Sequence, residues 1–168
     1  MNLIIAGYVL LFVCTPILVK KLTRVDPYEF TRGYKNVQSY NDLVHVGALT
    51  QMMVFPGNPI AIIPLSVFVY FSLDILFNYK TFIINKVYLV HHLFGCFQIY
   101  LVYKYFMNNI ETLAFLIWLQ ETALIPITIM DILRMQSIKV PKILYVIRAL
   151  WYFHTRIYTY GFLFYNYD

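Results

Sequence analysis

The sequence has few charged residues and few cysteines. Only 12% of its 168 residues are Asp, Glu, Lys or Arg, which is about half the share found in an ordinary soluble domain. A soluble globular protein is therefore excluded. Cys14 and Cys96 lie inside apolar runs and have no partner at disulfide, redox or metal-binding spacing. The sequence thus predicts neither a disulfide framework nor a thiol site.

Hydrophobic residues make up 61% of the chain, and the mean hydropathy is +0.65. A transmembrane helix needs about 20 apolar residues, so the chain has room for five or six helices and none for a sizeable aqueous domain. The net charge is +5, but the Lys and Arg residues are scattered between apolar runs. They form no basic face of the kind that binds nucleic acid, and nucleic acid is not an expected partner.

The apolar runs predict an all-α polytopic membrane protein that forms a single transmembrane domain over residues 1–168. Six spans are expected, at residues 2–19, 42–55, 60–77, 87–107, 110–133 and 143–165. The second run is short, so it must tilt or cross a thin bilayer. Residues 56–59 and the pair Asn108 and Asn109 predict turns. Pro126 predicts a kink in the fifth span because proline removes a backbone hydrogen bond.

The positive charges predict how the chain is oriented. Ten of the 13 Lys and Arg residues fall in the loops after the first, third and fifth spans, and none falls in the other two loops. Basic loops stay on the cytoplasmic side. Both termini are therefore predicted to be outside or lumenal, and the protein is expected to be integral to the membrane.

A first group of polar residues is predicted near the cytoplasmic ends of the spans. Ionisable groups inside a membrane are costly and mark a functional site or a structural pair; the group comprises Asn41, His45, Asp74, His91 and His92.

The two adjacent histidines point about 100° apart on a helix. His91, on the same stripe as Gln98, is therefore predicted to face inward, and His92 to contact a neighbouring helix. His91 and His92 are candidate acid or base groups, with Asp74 to orient them. The alternative is a set of polar residues bonded to one another. No helical zinc spacing is present, and a metal site is not expected.

A second group is predicted near the middle of the membrane. It contains Glu121 in the fifth span and His154 and Arg156 in the sixth, with Gln98 at similar depth. The fifth and sixth spans are antiparallel neighbours, so Glu121 and Arg156 are predicted to form a buried ion pair, since an unpaired charge would cost several kcal/mol. The pair is either a structural clamp or a substrate or proton contact. His45, Gln98, Glu121, His154 and Arg156 are accordingly candidate lipid-binding or structural residues.

Five short motifs then occur in a recognisable order between residues 36 and 165. They are Asn41 with His45, Tyr70 with Asp74 ahead of Lys80 and Asn85, the doublet His91 and His92, Glu121 followed by Pro126, and Phe153 followed by Arg156. In this order the chain resembles the TLC-domain family of membrane proteins, which includes ceramide synthases and translocation-associated membrane proteins. The resemblance implies a six-helix barrel around a lipid-accessible cavity, in the endoplasmic reticulum or a connected membrane.

One departure from the family pattern affects the expected function. Ceramide synthases carry a further His-Asp pair and another Asp after the histidine doublet, whereas residues 112–131 contain no such pair and offer Glu121. The chain is therefore more similar to members that lack the full ceramide synthase motif. The leading hypothesis is a protein that binds or regulates membrane lipids, such as an acyl chain or a sphingolipid, without a cofactor. The alternatives are an N-acyltransferase that uses acyl-CoA as co-substrate, and a transporter or channel gated by Glu121 and Arg156.

Overall fold

Helices form at each of the six apolar runs. The computed structural model describes residues 2–31, 34–54, 60–105 and 109–167. In chain order the elements are α1 (Asn2–Leu22), β1 (Phe30–Thr31), β2 (Tyr34–Lys35), α2 (Asn36–Val54), the 3₁₀ turn η1 (Ile60–Ile62), α3 (Ile63–Phe77), α4 (Tyr79–Ile84), α5 (Lys86–Tyr105), α6 (Ile110–Glu121), α7 (Leu124–Met135) and α8 (Lys142–Tyr167). The predicted turns at residues 56–59 and at Asn108 lie outside the described residues.

Three helical segments are long and apolar enough to cross a membrane. They are Asn2–Leu22, which is α1, Ile60–Phe77, which contains η1 and α3, and Ile110–Met135, which contains α6 and α7. This finding supports the predicted membrane protein in its coarse form. The segment between α1 and α2 contains one small antiparallel hairpin, in which Phe30 pairs with Lys35.

Helix α2 begins six residues before the predicted second span. Its first turns contain Asn36, Gln38, Ser39 and Asn41, and each of these side chains is at most 7% exposed. Because these residues are polar, hydropathy assigned them to a loop. Burial of the side chains against other helices lets them continue the helix, and α2 reaches 19 residues. The short second run is thus a helix of ordinary length.

The hydrophobic core lies where α3 passes between α1, α2, α5 and α6. Its fully buried side chains include Leu49 of α2, Ile63 and Val67 of α3, and Ala114 of α6. Helix α2 packs chiefly against α7, while α8 packs against α6 and α7 from the outside. Among the described side chains of α8, only Thr155 and Thr159 are buried. Small hydroxyl residues of this kind allow close contact between helices.

The predicted fifth span is interrupted between α6 and α7. The break falls at Thr122 and Ala123, four residues before Pro126, whose missing N–H cannot bond to the carbonyl of Thr122. The hydroxyl of Thr122 donates to the carbonyl of Leu119 (2.6 Å). The kink that Pro126 predicts in the fifth span is therefore present as a break between two helices, and it directly follows Glu121.

Close contact between α3 and α5 depends on Gly95. A Cβ atom at this position would lie 2.4 Å from Cε2 of Phe71, and the Phe71 ring is itself buried. Gly95→Ala is therefore expected to lower the free energy of unfolding by about 1–3 kcal/mol, as overpacked sites do. Thermal unfolding of the protein in detergent would measure the loss. Gly47→Ala is the matched control, because a Cβ there has nothing within 4 Å and alanine favours a helix by about 1 kcal/mol. Equal melting temperatures for the two variants would contradict the close contact.

Candidate functional site

A buried polar network surrounds Asp74 near the end of α3. Asn78 donates through Nδ2 to Oδ1 of Asp74 (2.6 Å), and Gln38 of α2 donates through Nε2 to Oδ2 (3.5 Å). Thr81 of α4 donates to Oε1 of Gln38 (3.0 Å). These four side chains and that of His92 on α5 are each at most 3% exposed. The network therefore joins α2, α3, α4 and α5 in a part of the protein that excludes water.

His92 and Asp74 face each other within this network. The Nδ1 atom of His92 lies 3.1 Å from the carbonyl oxygen of Tyr88, and because a carbonyl only accepts, Nδ1 is the donor. Nε2 of the same ring lies 3.1 Å from Oδ2 of Asp74. Without a further proton, a ring lone pair would face a carboxylate. A proton on Nε2 or on the carboxyl group stabilises the contact, so the two groups form an acid and base pair.

Lys35 joins the network at its outer edge, outside the membrane spans. Its backbone N–H donates to Oε1 of Gln38 (2.9 Å), and its ammonium group donates to Oδ1 of Asn78 (3.3 Å). Burial lowers the pKa of Lys35 below its ordinary value, and Lys80 lowers that pKa further, while Asp74 opposes both effects. Through Asn78, Lys35 is thus linked by hydrogen bonds to the buried carboxyl group of Asp74, and it lies near a second basic residue, Lys80.

A second buried cluster is centred on His45. The hydroxyl of Tyr8 on α1 hydrogen-bonds to Nδ1 of His45 (2.7 Å), and the His45 ring stacks on Tyr70 with centroids 3.9 Å apart. On its other side, Nε2 of His45 lies 3.9 Å from Oε2 of Glu121. Neither of these last two atoms has a hydrogen-bond partner within the described part of the chain. The cluster therefore brings the imidazole of His45 on α2 close to the carboxyl group of Glu121 on α6. The distance between Nε2 and Oε2 is about 1 Å longer than a hydrogen bond.

These contacts correct two predictions. His45 was grouped with Asp74 and the histidine doublet, but it lies instead beside Glu121, because α2 crosses the bundle next to α6. The predicted ion pair between Glu121 and Arg156 is wrong as a direct contact: among the described residues Glu121 is paired with His45. The guanidinium of Arg156 lies over the ring of Tyr152, 5.0 Å from its centroid.

A cavity of about 530 Å³ lies between α2, α5, α7 and α8. Its lining combines polar and charged side chains with a few apolar ones: Gln38, Ser39, Asp42, Val87, Tyr88, His91, Phe94, Gln98, Gln120, Leu124, Ile127, Thr128, Asp131, Arg134, Arg148, Tyr152, Arg156 and Tyr160. Its size is that of a small-molecule site. In the described part of the chain, α5 and α8 flank the cavity and have few contacts with each other. The bundle is therefore loosely packed on this side.

Three of the predicted site residues line this cavity: His91, Gln98 and Arg156. The predicted contact of His92 with a neighbouring helix is present, since His92 is buried against α3. His91, predicted to face inward, lines the cavity but lies on an exposed side of α5. Gln98 and Gln120 also line a smaller cavity of about 110 Å³, which Glu121 lines as well. The smaller cavity therefore lies beside the larger one.

His154 is not part of the site. It was predicted to lie with Arg156, but two residues on a helix point about 200° apart, and the structure turns His154 to the exposed outer face of α8. There it lies among Trp151, Phe153 and Tyr158. The apolar residues around His154 made it look like a buried polar residue in the sequence, although these residues form the outer face of α8.

Several site residues were not singled out by sequence reasoning. Gln38 and Asn78 lie at helix ends, where polar side chains look like loop residues. Tyr8 is one of 16 tyrosines, and its partner His45 is 37 residues away. Arg148 carried a usable signal: it is a charged residue inside an apolar run, four residues before Tyr152 and eight before Arg156.

Comparison of the chain with models of protein families, with curated proteins and with solved structures found no match. Within the described residues, no group of three or more His, Cys, Asp or Glu side chains comes together as a metal site would require.

Proposed function

We propose that the chain is a multi-pass membrane protein of the TLC-domain type that binds a membrane lipid in its central cavity. The observation that carries the proposal is the 530 Å³ cavity with polar lining inside an apolar helical bundle. Cavities between helices are usual ligand sites, and a bilayer supplies amphipathic ligands to a site that is open at its flank.

The outward faces of α5 and α8 support six spans in place of three. On α5 the exposed apolar side chains include Val90, Leu93 and Phe97, each more than half exposed, and on α8 they include Leu150 and Phe153. Such patches are rare on soluble proteins, whereas lipid would cover them. Lys20, Lys80, Lys139 and other basic residues lie at alternate helix junctions, which fits lumenal termini. We place the protein in the endoplasmic reticulum or a connected membrane on the TLC resemblance.

Filling the cavity is the direct test of lipid binding. Ile127→Trp places an indole in the cavity wall on α7, and we expect the purified variant to lose most of the lipid that co-purifies with the wild-type protein. Mass spectrometry of extracted lipids, scaled to protein, measures the loss. Ile129→Trp is the matched control, since Ile129 is on the same helix and partly buried but does not line the cavity. Equal lipid content in the two variants would contradict the proposal.

A second candidate function is N-acyl transfer from acyl-CoA, and the position of His91 favours it. Its imidazole lines the cavity, where a neutral ring could accept the proton of an attacking amine. Incubation with acyl-CoA and a sphingoid base tests this function. Product should form with the wild-type protein and with His154→Ala, which changes a histidine outside the cavity, and should be lost with His91→Ala. Absence of product from the wild-type protein would dismiss this candidate and leave lipid binding.

A further inference from the structure

We propose that the central cavity binds a lipid through a phosphate monoester headgroup, held by Arg148 and Arg156 of α8, with its acyl chain leaving between α5 and α8. The proposal rests on the lipid binding proposed above and names the class of lipid. It concerns the charged wall of the cavity, which neither the histidine pair nor the resemblance to a family explains.

The charges that line the cavity are only partly balanced. Asp131 is paired with Arg134, and the carboxyl group of Asp42 accepts the hydroxyl of Tyr70. Arg148 and Arg156 have no carboxylate at ion-pair distance within the described chain, and Glu121 acts on Arg156 only from beyond that distance. Two guanidinium groups therefore remain for an anion.

Arg156 lies where an unbalanced charge is most costly. It is in the middle of α8, and its Nη1 atom is buried without a hydrogen-bond partner among the described residues. A buried donor left unpaired costs about 1–3 kcal/mol, and more when it is charged. The guanidinium of Arg156 lies over the ring of Tyr152. This contact leaves the N–H donors of the guanidinium free to bind an anion. An oxyanion in the cavity would accept those donors.

The two arginines lie on one stripe of α8. Arg148, Tyr152, Arg156 and Tyr160 recur every four residues and all line the cavity, with about 6 Å of rise between neighbours. Arg148 is the more exposed of the two arginines and lies nearer the basic loops. A headgroup would therefore meet Arg148 first and then reach Arg156.

The opposite wall suits the remainder of a lipid. On α5, Val87 and Phe94 line the cavity and are 80% and 56% exposed. They stand on the flank where α5 and α8 have few contacts in the described chain. When the headgroup binds to the arginines of α8, the acyl chain of the lipid can thus pack against these apolar side chains and extend into the surrounding bilayer.

Phosphate monoester fits the site better than carboxylate. The guanidinium fork matches phosphate oxygens in pairs, and a monoester carries about −1.5 to −2 at pH 7. Two unpaired arginines can balance that charge. A fatty acid carboxylate, with a single charge, would leave one arginine without a partner.

Binding of paired probes to the purified full chain in neutral detergent tests the proposal. The probes are oleoyl lysophosphatidate, monooleoylglycerol, which lacks only the phosphate, oleate and inorganic phosphate. We expect lysophosphatidate to bind at least about tenfold more tightly than each of the others. Arg148→Gln and Arg156→Gln should each weaken its binding about tenfold or more, the effect of losing a charged hydrogen bond. Arg24→Gln, which removes an exposed arginine far from the cavity, should change nothing.

The outcomes separate this proposal from the general one. Equal binding of lysophosphatidate and monooleoylglycerol, blocked by Ile127→Trp, would overturn the phosphate headgroup and leave lipid binding intact. Tight binding of inorganic phosphate alone would overturn the lipid as the source of the anion. Arg156→Lys keeps the charge without the fork, so intermediate affinity in that variant supports paired recognition even where Arg156→Gln fails to fold. Wild-type affinity in the folded Arg148→Gln protein would overturn the assignment to α8.

Discussion

Asp74→Leu is expected to unfold most of the bundle in mild detergent. The substitution removes the one carboxyl group that Asn78, Gln38 and His92 face, and leaves the amide donors of Asn78 and Gln38 and the Nε2 atom of His92 buried without that partner. Removing one member of a buried charged pair costs about 3–5 kcal/mol, which is a large share of the stability of a small protein. Thermal or denaturant unfolding of the detergent-solubilised protein measures the loss.

Asp131→Leu is the matched control for this prediction. Asp131 also pairs with a cation, Arg134, but its side chain is 24% exposed and the partners are one turn apart on α7. Exposed pairs contribute about 1 kcal/mol or less, so this variant should stay close to wild type. A double-mutant cycle of Asp74→Asn with His92→Phe should show coupling of about 0.5–3 kcal/mol. If Asp74→Leu is as stable as Asp131→Leu, the network does not hold the helices together.

His45→Ala is expected to lower the free energy of unfolding by about 2–4 kcal/mol. The change deletes a ring that is fully buried and stacked on Tyr70, so it leaves a cavity, and it takes the hydrogen-bond partner from the hydroxyl of Tyr8. The loss should be read from unfolding in detergent.

Tyr8→Phe separates the two causes. It removes only the hydroxyl and should cost about 1 kcal/mol. Because both changes break the same hydrogen bond, the double variant should lose less than the sum of the two single losses. Strict additivity would show that the hydrogen bond between Tyr8 and His45 contributes nothing to stability.

The helices could be predicted because each apolar run is long enough to form one. The start of α2 could not, since the polar residues Asn36 and Gln38 have the composition of a loop. They are buried through tertiary contacts, Asn36 with the carbonyl of Asp26 and Gln38 with side chains of α3 and α4. The same limit applies to α4, which forms in a segment whose sequence is that of a polar connection. Hydropathy identifies apolar segments that avoid water. It does not identify polar side chains that are buried because they form hydrogen bonds with one another.

The candidate site was likewise predictable only in part. Helical periodicity was sufficient to point His91 and His92 in different directions, because that depends on one helix alone. Which of the two is buried depends on the neighbouring helices, and it is His92. The partner of Glu121 depends on which helices are neighbours. Consecutive spans suggested Arg156, whereas α2, distant in sequence, supplies His45. The uncharged partners Tyr8, Asn78 and Thr81 carry no signal in a single sequence, since tyrosine, asparagine and threonine are common at helix ends and within spans.

The attachment of α8 has a consequence for how the protein opens. This helix is held by two buried threonines and by two hydrogen bonds, from the indole of Trp151 to Thr122 (3.2 Å) and from Nη2 of Arg134 to the hydroxyl of Tyr145 (3.3 Å), while α2, α3, α4 and α5 are joined by the buried network around Asp74. Regions with few buried contacts open at a lower free energy than the rest of a fold. Amide hydrogens of α8 should therefore exchange with solvent deuterium ahead of those of α3, and the wall that carries both arginines is expected to detach before the core around α3 opens.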